Sequence, residues 1–249
     1  MLIPGFARNG LDKKVPARFG GERAVRCSSM AEKWDRYFAE AEQSGVPPPW
    51  ESASVFSQLP RIVQENMHKG SSTAIELGCG ASATAVWLAA NGFDVTAVDI
   101  SELALSRARR VYPLSKVQWQ LADIMDESFA LQHSGKYDLV FDMQCFHCLR
   151  DIDETAAAEV IKKLLSPRGT AVVVCGAEVG GEEARGPPRV ARDDFLRPFA
   201  SKLSVVSCEL GRFNPTACYG DESPPSCWIA VLRGLSDQPC LAYPQKLTT

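Results

Sequence analysis

Between residues 73 and 175, short apolar runs alternate with stretches that have the spacing of amphipathic helices. Strands that alternate with helices form βαβ units, in which the strands run parallel and the helices cover both faces of the sheet. The alternation therefore predicts an α/β fold. The predicted strands are at Thr73–Leu77 and at residues 94–98, 117–121, 137–141 and 170–175, and the predicted helices are at residues 82–91, 102–112 and 154–165.

The C-terminal part of the chain departs from this alternation. After a predicted helix at residues 192–199, strand-like runs at residues 203–210 and 227–232 follow each other with only a loop rich in Pro and Gly between them. Strands that are joined without a helix pair antiparallel. We therefore predict a seven-stranded, mostly parallel Rossmann-like sheet with its last strand antiparallel and with helices on both faces.

Two helices are predicted before the first strand. In the first, at residues 30–44, aromatic side chains recur at spacings of three and four, and Gly45 with the prolines that follow ends the helix. The second, at residues 54–68, has apolar residues at helical spacing, and we expect Pro60 to bend or split it.

The composition limits the partners of the chain. With 249 residues, of which 45% are hydrophobic, the chain is long enough for one domain with a large core. Its 27 basic and 30 acidic residues give a net charge of −3, which argues against a nucleic-acid partner. No apolar run approaches the roughly 18 to 20 residues that cross a bilayer, so we expect no membrane partner. We also expect a monomer or weak dimer.

The N-terminal arm differs in charge from the rest of the chain, because residues 1–26 contain six basic and two acidic residues. Residues 1–29 are predicted to be a basic flexible arm or an organelle transit peptide, and both alternatives stay open. The nine cysteines are scattered along the chain, as in proteins with reduced thiols. We therefore expect a cytoplasmic protein, or a plastid or mitochondrial one if the arm is a transit peptide. Residues 30–235 form the predicted domain, and residues 236–249 a tail.

The segment Glu76-Leu77-Gly78-Cys79-Gly80-Ala81-Ser82-Ala83 lies where the first predicted strand ends and a helix begins. Gly78 and Gly80 allow a tight turn and a close approach of the backbone to a ligand, and the helix N-terminus adds amide donors. Asp99 ends the next strand, where a carboxylate can accept both hydroxyls of a ribose. Together these residues predict a nucleoside-binding site.

Two classes of cofactor fit this pattern. With Ala83 at its last position, the loop matches the dinucleotide fingerprint, so NAD(P) and flavin stay open. Three features favour S-adenosylmethionine: the two helices before the first strand, Glu76 before the glycines, and the antiparallel strands at the end. On these features the sequence resembles the class I S-adenosylmethionine-dependent methyltransferases over residues 30–235.

The resemblance implies roles for further residues. Residues 121–124 match the segment that holds the adenine, so Asp123 would accept from the adenine amino group. Residues 138–142 resemble the fourth-strand motif, whose end faces the transferred methyl group. The cofactor-binding residues that the resemblance implies are Glu76, Gly78, Cys79, Gly80, Asp99, Ile100, Asp123, Ile124 and Asp142.

The segment after the fourth strand bears on the acceptor. It is Met143-Gln144-Cys145-Phe146-His147-Cys148, and it lacks the Asn/Asp-Pro-Pro-Tyr tetrapeptide that holds a nucleobase amino group in related enzymes. The chain also lacks the glutamate pair that would bind an arginine guanidinium. We therefore expect a small-molecule substrate.

Shorter motifs are similar to those of the thiopurine and the thiol or halide methyltransferases. They are Trp34, Pro49-Trp50, Phe141-Asp142 followed by Cys145-Phe146, and Gly186-Pro187-Pro188. In that group the N-terminal segment covers the site. The similarity implies that helices within residues 30–69 form a lid and that the substrate-binding residues are Trp34, Tyr37, Trp50, Cys145 and Phe146. Ordinary packing of Trp34 and Tyr37 on the domain stays open as the alternative.

His147 and Asp142 are the predicted catalytic residues. A histidine with a pKa of about 6.5 can take a proton from a hydroxyl or amine acceptor, whereas a thiolate or halide needs no strong base. A soft nucleophile is the leading hypothesis, with O- or N-methylation of a small metabolite and NAD(P)-dependent oxidation as alternatives. Cys145 and Cys148 form a single C-x-x-C without a second pair, so no metal is predicted.

Overall fold

The structure is a computed structural model, and it describes residues 21–179, 187–216 and 224–235, with residues 21–29 described as backbone only. Most of the predicted arm, Gly186 and the predicted tail therefore lie outside the described residues. The helices are α1 (Gly21–Ser44), α2 (Leu59–Asn66), α3 (Ala83–Ala90), α4 (Glu102–Val111), α5 (Glu127–Gln132), α6 (Phe146–Leu164) and α7 (Arg192–Leu196), with a 3₁₀ turn at Arg197–Phe199. The strands are β1 (Thr73–Leu77), β2 (Asp94–Asp99), β3 (Gln118–Leu121), β4 (Tyr137–Met143), β5 (Leu165–Ala177), β6 (Arg189–Val190), β7 (Leu203–Arg212) and β8 (Ser226–Gly234).

The strands form one sheet in the order β3-β2-β1-β4-β5-β8-β7, and the short strand β6 pairs with β5. The pairs among β1 to β5 are parallel, and β8 is antiparallel to both β5 and β7. The predicted Rossmann-like sheet with an antiparallel last strand is confirmed, and β6 adds a short eighth strand. This order places the carboxyl ends of β1, β2 and β4 side by side.

Helices cover both faces of the sheet, as predicted. On one face Ile161 of α6, Phe195 and Phe199 pack in the apolar core, and on the other face Leu59 of α2 and Leu88 of α3 do so. No helix in the described part of the chain is long and apolar enough to cross a membrane.

Three helix boundaries differ from the prediction, and one of them is the start of α1, which is at Gly21 instead of residue 30. Pro60 lies in the first turn of α2 and does not bend it, because a proline is favoured where the first N–H groups of a helix have no partner within the helix. Helix α6 begins at Phe146 and has a kink at Asp153, where φ is −161° and ψ is 91°. Asp153 Oδ1 accepts from Ala156 N at 2.9 Å and so starts a second helical segment. The predicted helix at residues 154–165 corresponds to that second segment. Helix α5 was not predicted.

Helix α1 is docked on α4 through buried polar contacts. Asp35 Oδ1 accepts from Ser101 Oγ at 2.5 Å, and Arg107 donates to both carboxylate oxygens of Glu51 at 2.8 and 2.7 Å. The side chains of Arg107 and Glu51 are only 15% and 14% exposed. Arg107 also donates to Glu42, near the end of α1, at 2.9 Å. These contacts fix both the helix and the segment that carries Trp50.

Replacing Arg107 with Gln should loosen the N-terminal segment. The two-fold donation to Glu51 is charge-assisted and largely buried, and such hydrogen bonds contribute about 1.5 to 3 kcal/mol. We expect amide hydrogen exchange in α1 to accelerate at least about tenfold, while exchange in β1 and β4 is unchanged. Arg61→Gln is the matched control, because Arg61 pairs with Glu209 where both side chains are about half exposed. Equal exchange in the two variants would show that Arg107 does not hold α1.

Candidate functional site

Three carboxylates lie at the carboxyl ends of neighbouring strands. Leu77 of β1 pairs with Val98 of β2 and with Asp142 of β4. Glu76, Asp99 and Asp142 therefore lie near the carboxyl ends of three neighbouring strands, although they are far apart in sequence. The three side chains are buried, with relative exposures of 3% for Glu76, 8% for Asp99 and 0% for Asp142.

Glu76 is held by the start of α3. Ser82 Oγ lies 2.8 and 2.7 Å from the two carboxylate oxygens of Glu76 and donates to the carboxylate. Ser82 Oγ also accepts from the backbone N–H groups of Thr84 and Ala85, each at 3.0 Å, and so caps α3. Burial raises the pKa of Glu76 to about 8, with the hydrogen bond from Ser82 opposing the rise. Ser82 therefore connects the carboxylate of Glu76 to the N-terminus of α3.

Asp99 connects the glycine loop to the next helix. Its Oδ2 accepts from Gly80 N at 2.8 Å, and its Oδ1 accepts from Ser101 N at 2.9 Å. Burial raises the pKa of this carboxyl, although these hydrogen bonds oppose the rise. Each carboxylate oxygen can accept more than one hydrogen bond. The geometry is therefore compatible with hydroxyls of a ribose, and it shows that Asp99 also shapes the loop.

Asp142 has one engaged oxygen and one without a partner. Oδ1 accepts from Cys145 N at 3.1 Å and from Phe146 N at 2.9 Å, so the side chain caps α6 from the preceding strand. Oδ2 is buried and has no hydrogen-bond partner among the described residues. Burial raises the pKa of Asp142 to about 7, with the two N–H donors opposing the rise. An unpartnered buried acceptor is costly and points to a ligand donor.

The glycine loop fits closely against the start of α6. Gly78 and Gly80 have φ values of +59° and +54°, in the left-handed region that favours glycine. A Cβ placed on Gly78 would lie 2.7 Å from Cβ and 2.8 Å from Sγ of Cys145. The loop therefore reaches Cys145 only because residue 78 has no side chain. Gln144, between β4 and α6, also has a positive φ of 72°.

Aromatic side chains of the N-terminal segment cover this loop. Trp50 packs edge-on against Trp34, Tyr37 and Phe38, with centroid distances of 5.3, 5.5 and 6.1 Å. We call these four residues the aromatic cluster. Phe38 Cζ lies 3.6 Å from the position that a Cβ on Gly80 would take, so the cluster borders the glycine loop. The structure thus brings together the three predicted lid residues, and it adds Phe38.

The residues predicted to hold the adenine lie beside β2 and β3. Ile124 is buried and Ile100 is half-buried. Asp123 Oδ1 accepts from Met125 N at 2.9 Å, which shapes the turn after β3. Ala122 N donates to Asp99 O at 3.1 Å, so the turn that carries Asp123 lies next to Asp99.

Residues 144–150, which follow β4, are all buried or half-buried. His147 lies in the first turn of α6, and burial lowers its pKa to about 4, with smaller contributions from the positive charges of Arg150 and Lys33. It is therefore neutral near pH 7.

Phe146 corrects our expectation of a substrate contact. It is fully buried, with its ring 4.8 Å from that of Phe199 and 6.2 Å from that of Phe195, because Phe146 faces the apolar core at the start of α6.

The site has the properties that S-adenosylmethionine requires. This cofactor carries a sulfonium and an ammonium group, and a cationic ligand would stabilise the ionised form of carboxyl groups whose pKa values are raised by burial. Asp142 Oδ2 supplies an acceptor that no described residue uses. The aromatic cluster supplies ring faces for a cation. In the described part of the chain, no group of three or more His, Cys, Asp or Glu residues is placed to hold a metal ion.

Ser82 and Phe38 are two residues of the site that were given no role from the sequence. Ser82 is a serine at the start of the predicted helix, where an N-cap is expected, but its hydrogen bond to Glu76 depends on the tertiary fold. Phe38 belongs to the apolar face of α1, and nothing in the sequence separates it from ordinary core residues.

Comparison with known proteins finds similarity to a family model over part of the chain. Residues 74–169 match the family model described as a methyltransferase domain. The chain is 30% identical over 127 residues to ubiquinone biosynthesis O-methyltransferase of Aromatoleum aromaticum, which covers 48% of this chain and 53% of the relative. It is 31% identical over 109 residues to ribosomal RNA small subunit methyltransferase C of Chromohalobacter salexigens, covering 41% of this chain and 31% of the relative. It thus spans about half or less of these two proteins.

A third relative is probable thiol methyltransferase 2 of Arabidopsis thaliana, with 23% identity over 172 residues, 67% of this chain and 75% of the relative. Two solved structures share the fold. An S-adenosylmethionine-dependent methyltransferase of Anabaena variabilis has a TM-score of 0.68 at 16% identity, over 83% of this chain and 95% of the other. The 1,6-didemethyltoxoflavin-N1-methyltransferase of Burkholderia thailandensis, solved with S-adenosylhomocysteine, has a TM-score of 0.61 at 14% identity, over 89% and 94% of the two chains.

Replacing Asp142 with Asn should stabilise the ligand-free protein at alkaline pH. Because burial raises the pKa of Asp142 from its usual value to about 7, the folded protein keeps a proton that the unfolded chain releases above about pH 4. The contribution of this carboxyl to stability is thus complete below about pH 4 and is lost as the pH rises to about 7. Asn cannot ionise, so the variant should gain about 1 to 3 kcal/mol over wild type at pH 8.

Chemical denaturation from pH 4 to pH 9 measures this effect, and the gain should grow up to about pH 7 and then level off. Asp138→Asn is the control with the opposite sign. Burial opposes the ionisation of Asp138, but hydrogen bonds from Ser72, Ser166 and Thr73 outweigh it and lower the pKa of this carboxyl. That variant should lose stability at pH 8. A loss for Asp142→Asn that is equally large at every pH would contradict the assignment.

The contact between Gly78 and Cys145 can be tested by a double-mutant cycle. Gly78→Ala adds a left-handed strain of about 1 to 2 kcal/mol and an overpacking cost of about 1 to 3 kcal/mol. Gly135→Ala carries the strain alone, because Gly135 has a φ of +70° and nothing within 4 Å of its Cβ position. Denaturant unfolding should show the larger loss for Gly78→Ala, and in a Cys145→Gly background the two losses should become similar. If the excess persists, Cys145 is not the obstacle.

Proposed function

We propose that this class I methyltransferase transfers the methyl group of S-adenosylmethionine to a small-molecule acceptor. The family match, the curated relatives and the fold agree with the class that the sequence predicted. The acceptor and the residue roles are proposals that rest on the geometry of the site. The single observation that carries the cofactor assignment is the group of three buried carboxylates beside the glycine loop, with Asp142 Oδ2 unpartnered.

Each part of the cofactor is assigned to neighbouring residues. Asp99, at the end of β2, holds the ribose. The backbone amides of the glycine loop and the carboxyl groups of Glu76 and Asp142 hold the methionine end of the cofactor. The residues of that end are Glu76, Gly78, Cys79, Gly80 and Asp142, and those of the adenine end are Ile100, Asp123 and Ile124.

The sulfonium of the cofactor supplies an activated methyl group when bound. The protein then has to align the acceptor with that group and exclude water, and such alignment can lower the barrier by roughly 7 to 11 kcal/mol. We assign the exclusion of water to Trp34, Tyr37 and Trp50, whose rings pack against one another. Trp50 also packs against Phe38, which borders Gly80. Cys145, which touches the glycine loop, is assigned to the acceptor side.

A soft nucleophile such as a thiol or halide is the acceptor that we favour. A general base works best when its pKa lies near the working pH, whereas burial lowers the pKa of His147 to about 4. A thiolate or a halide has a lone pair available without a base. The relative named as a probable thiol methyltransferase supports this acceptor. The relative named as an O-methyltransferase supports the alternative, an oxygen acceptor.

Binding of S-adenosylmethionine should raise the melting temperature of the protein, and NADPH should not. A ligand at about 100 times its Kd stabilises the folded state by about 2.7 kcal/mol, a shift of several degrees. Thermal-shift assays with S-adenosylmethionine, S-adenosylhomocysteine and NADPH distinguish the two cofactor classes. Stabilisation by NADPH alone would refute the methyltransferase proposal in favour of the oxidoreductase alternative.

His147→Ala should lower turnover of a thiol only modestly, because no proton has to be abstracted from a thiolate. For an oxygen or nitrogen acceptor, removal of the base should cost about 10²- to 10⁴-fold. A homocysteine-release assay with small thiols, iodide, phenols and amines measures both cases in wild type and variant. Turnover on phenols alone that is abolished in His147→Ala would support the O-methyltransferase alternative and end the soft-nucleophile proposal.

A further inference from the structure

The first turns of α6 carry polar atoms that the cofactor assignment does not use. His147 Nδ1 and Arg150 Nε are both buried and have no hydrogen-bond partner among the described residues. Arg150 also lies 3.6 Å from Glu154 through its Nη2 atom, so the side chain is anchored at one end. Leaving a buried polar atom unpaired costs about 1 to 3 kcal/mol, and two of them within one turn of helix point to a ligand at this place.

Positive charges reach this place from two elements. The positive charges of Arg150 on α6 and Lys33 on α1 both lower the pKa of His147, and Lys33 Nζ lies 5.4 Å from the centroid of the Trp34 ring. Lys33 directly precedes Trp34 of the aromatic cluster. Helices α1 and α6 thus each bring one positively charged side chain near His147.

Three acidic groups also lie at this place, and each is partly engaged by another group or exposed at the surface. The negative charge of Asp142 contributes to the raised pKa values of Cys148 and Cys175, but its Oδ1 caps α6. Asp151 acts on Cys148 and is exposed at the surface. Glu154 is shared between Arg150 and Arg197. The cofactor side of the site is therefore acidic, and the side beside His147 carries two cations.

We propose that His147 and Arg150, at the start of α6, bind the acceptor as an anion, with Lys33 adding a second positive charge. This inference rests on the proposed function and adds the charge of the substrate to it. The acceptor class is then a thiolate, a halide or an acidic phenolate, whereas a neutral amine is disfavoured. His147 is a positioning residue here, because its neutral Nδ1 offers one hydrogen bond to the bound anion.

The charges balance in the transfer. A lone pair of the anion forms a bond to the methyl carbon while the bond from that carbon to the sulfonium sulfur breaks, and its electron pair stays on that sulfur. The negative charge of the acceptor and the positive charge of the sulfonium disappear together, and no proton moves. Because the methylated product of a thiolate is neutral, Lys33 and Arg150 hold it less strongly than the acceptor.

Steady-state kinetics with charged and neutral acceptors test the inference. The probes are iodide, thiophenol above its pKa, and aniline, with Lys33→Met and Arg150→Met as variants. Lys162→Met is the matched control, because Lys162 lies on α6 and pairs with Glu159 at the surface. We expect KM for iodide and thiophenolate to rise at least about tenfold in Lys33→Met and Arg150→Met. The Kd of S-adenosylmethionine should stay within about twofold in both variants, and Lys162→Met should match wild type in every measurement.

Calorimetric titration of thiophenolate into protein saturated with S-adenosylhomocysteine gives a second readout that needs no turnover. Binding to wild type that weakens about tenfold in Lys33→Met supports the inference. Methyl transfer that favours aniline, or equal anion affinity in wild type and Lys33→Met, would overturn the inference and leave the proposed function intact. Failure to bind S-adenosylmethionine at all would overturn both.

Discussion

Burial of three carboxylates at one edge of the sheet is the constraint on which this site depends. Moving an ionised carboxylate out of water costs free energy unless donors or a cation compensate for it. The chain supplies donors for much of the requirement: Ser82 for Glu76, two backbone amides for Asp99 and two for one oxygen of Asp142. The part of the burial cost that these donors do not offset raises the pKa values of all three carboxyl groups.

These donors also determine the shape of the site. Asp99 ties the glycine loop to the start of α4, and Asp142 fixes where α6 begins. Asp35 and Arg107 then attach α1 to α4, which places the aromatic cluster beside Gly80. The same contacts that satisfy buried charge therefore position both the glycine loop and the aromatic cluster. A cationic ligand at the acidic edge would relieve the part of the burial cost that the donors leave.

The part of the site that depends on local pattern could be predicted from the sequence. The strand, turn and helix around residues 76–83 and the acid at the end of β2 follow one another along the chain, so the roles of Gly78, Gly80 and Asp99 follow from spacing. The antiparallel pair β7 and β8 followed from the missing helix between them.

The rest depends on contacts that spacing does not encode. The start of α6 was missed because its cap is Asp142, a residue of the preceding strand, and the kink at Asp153 made the later segment look like the whole helix. Phe146 was misplaced because its neighbours in sequence belong to the site while its ring faces the core. Glu51 and Arg107 are 56 residues apart, so their pairing has no signal in either segment.

The central claim is that the buried carboxyl groups of Glu76, Asp99 and Asp142 bind the cationic part of the cofactor. The number of protons released on cofactor binding tests it most directly. Calorimetry at pH 7 in buffers with different ionisation enthalpies, on wild type and on Asp142→Asn, gives the protons exchanged, and protons of the cofactor itself cancel in the comparison. Because the pKa of Asp142 is about 7 in the ligand-free protein, wild type should release more protons than the variant on binding S-adenosylmethionine, by up to about half a proton per site at this pH. Equal release by the two proteins, with an affinity that does not change between pH 6 and pH 8, would contradict the account.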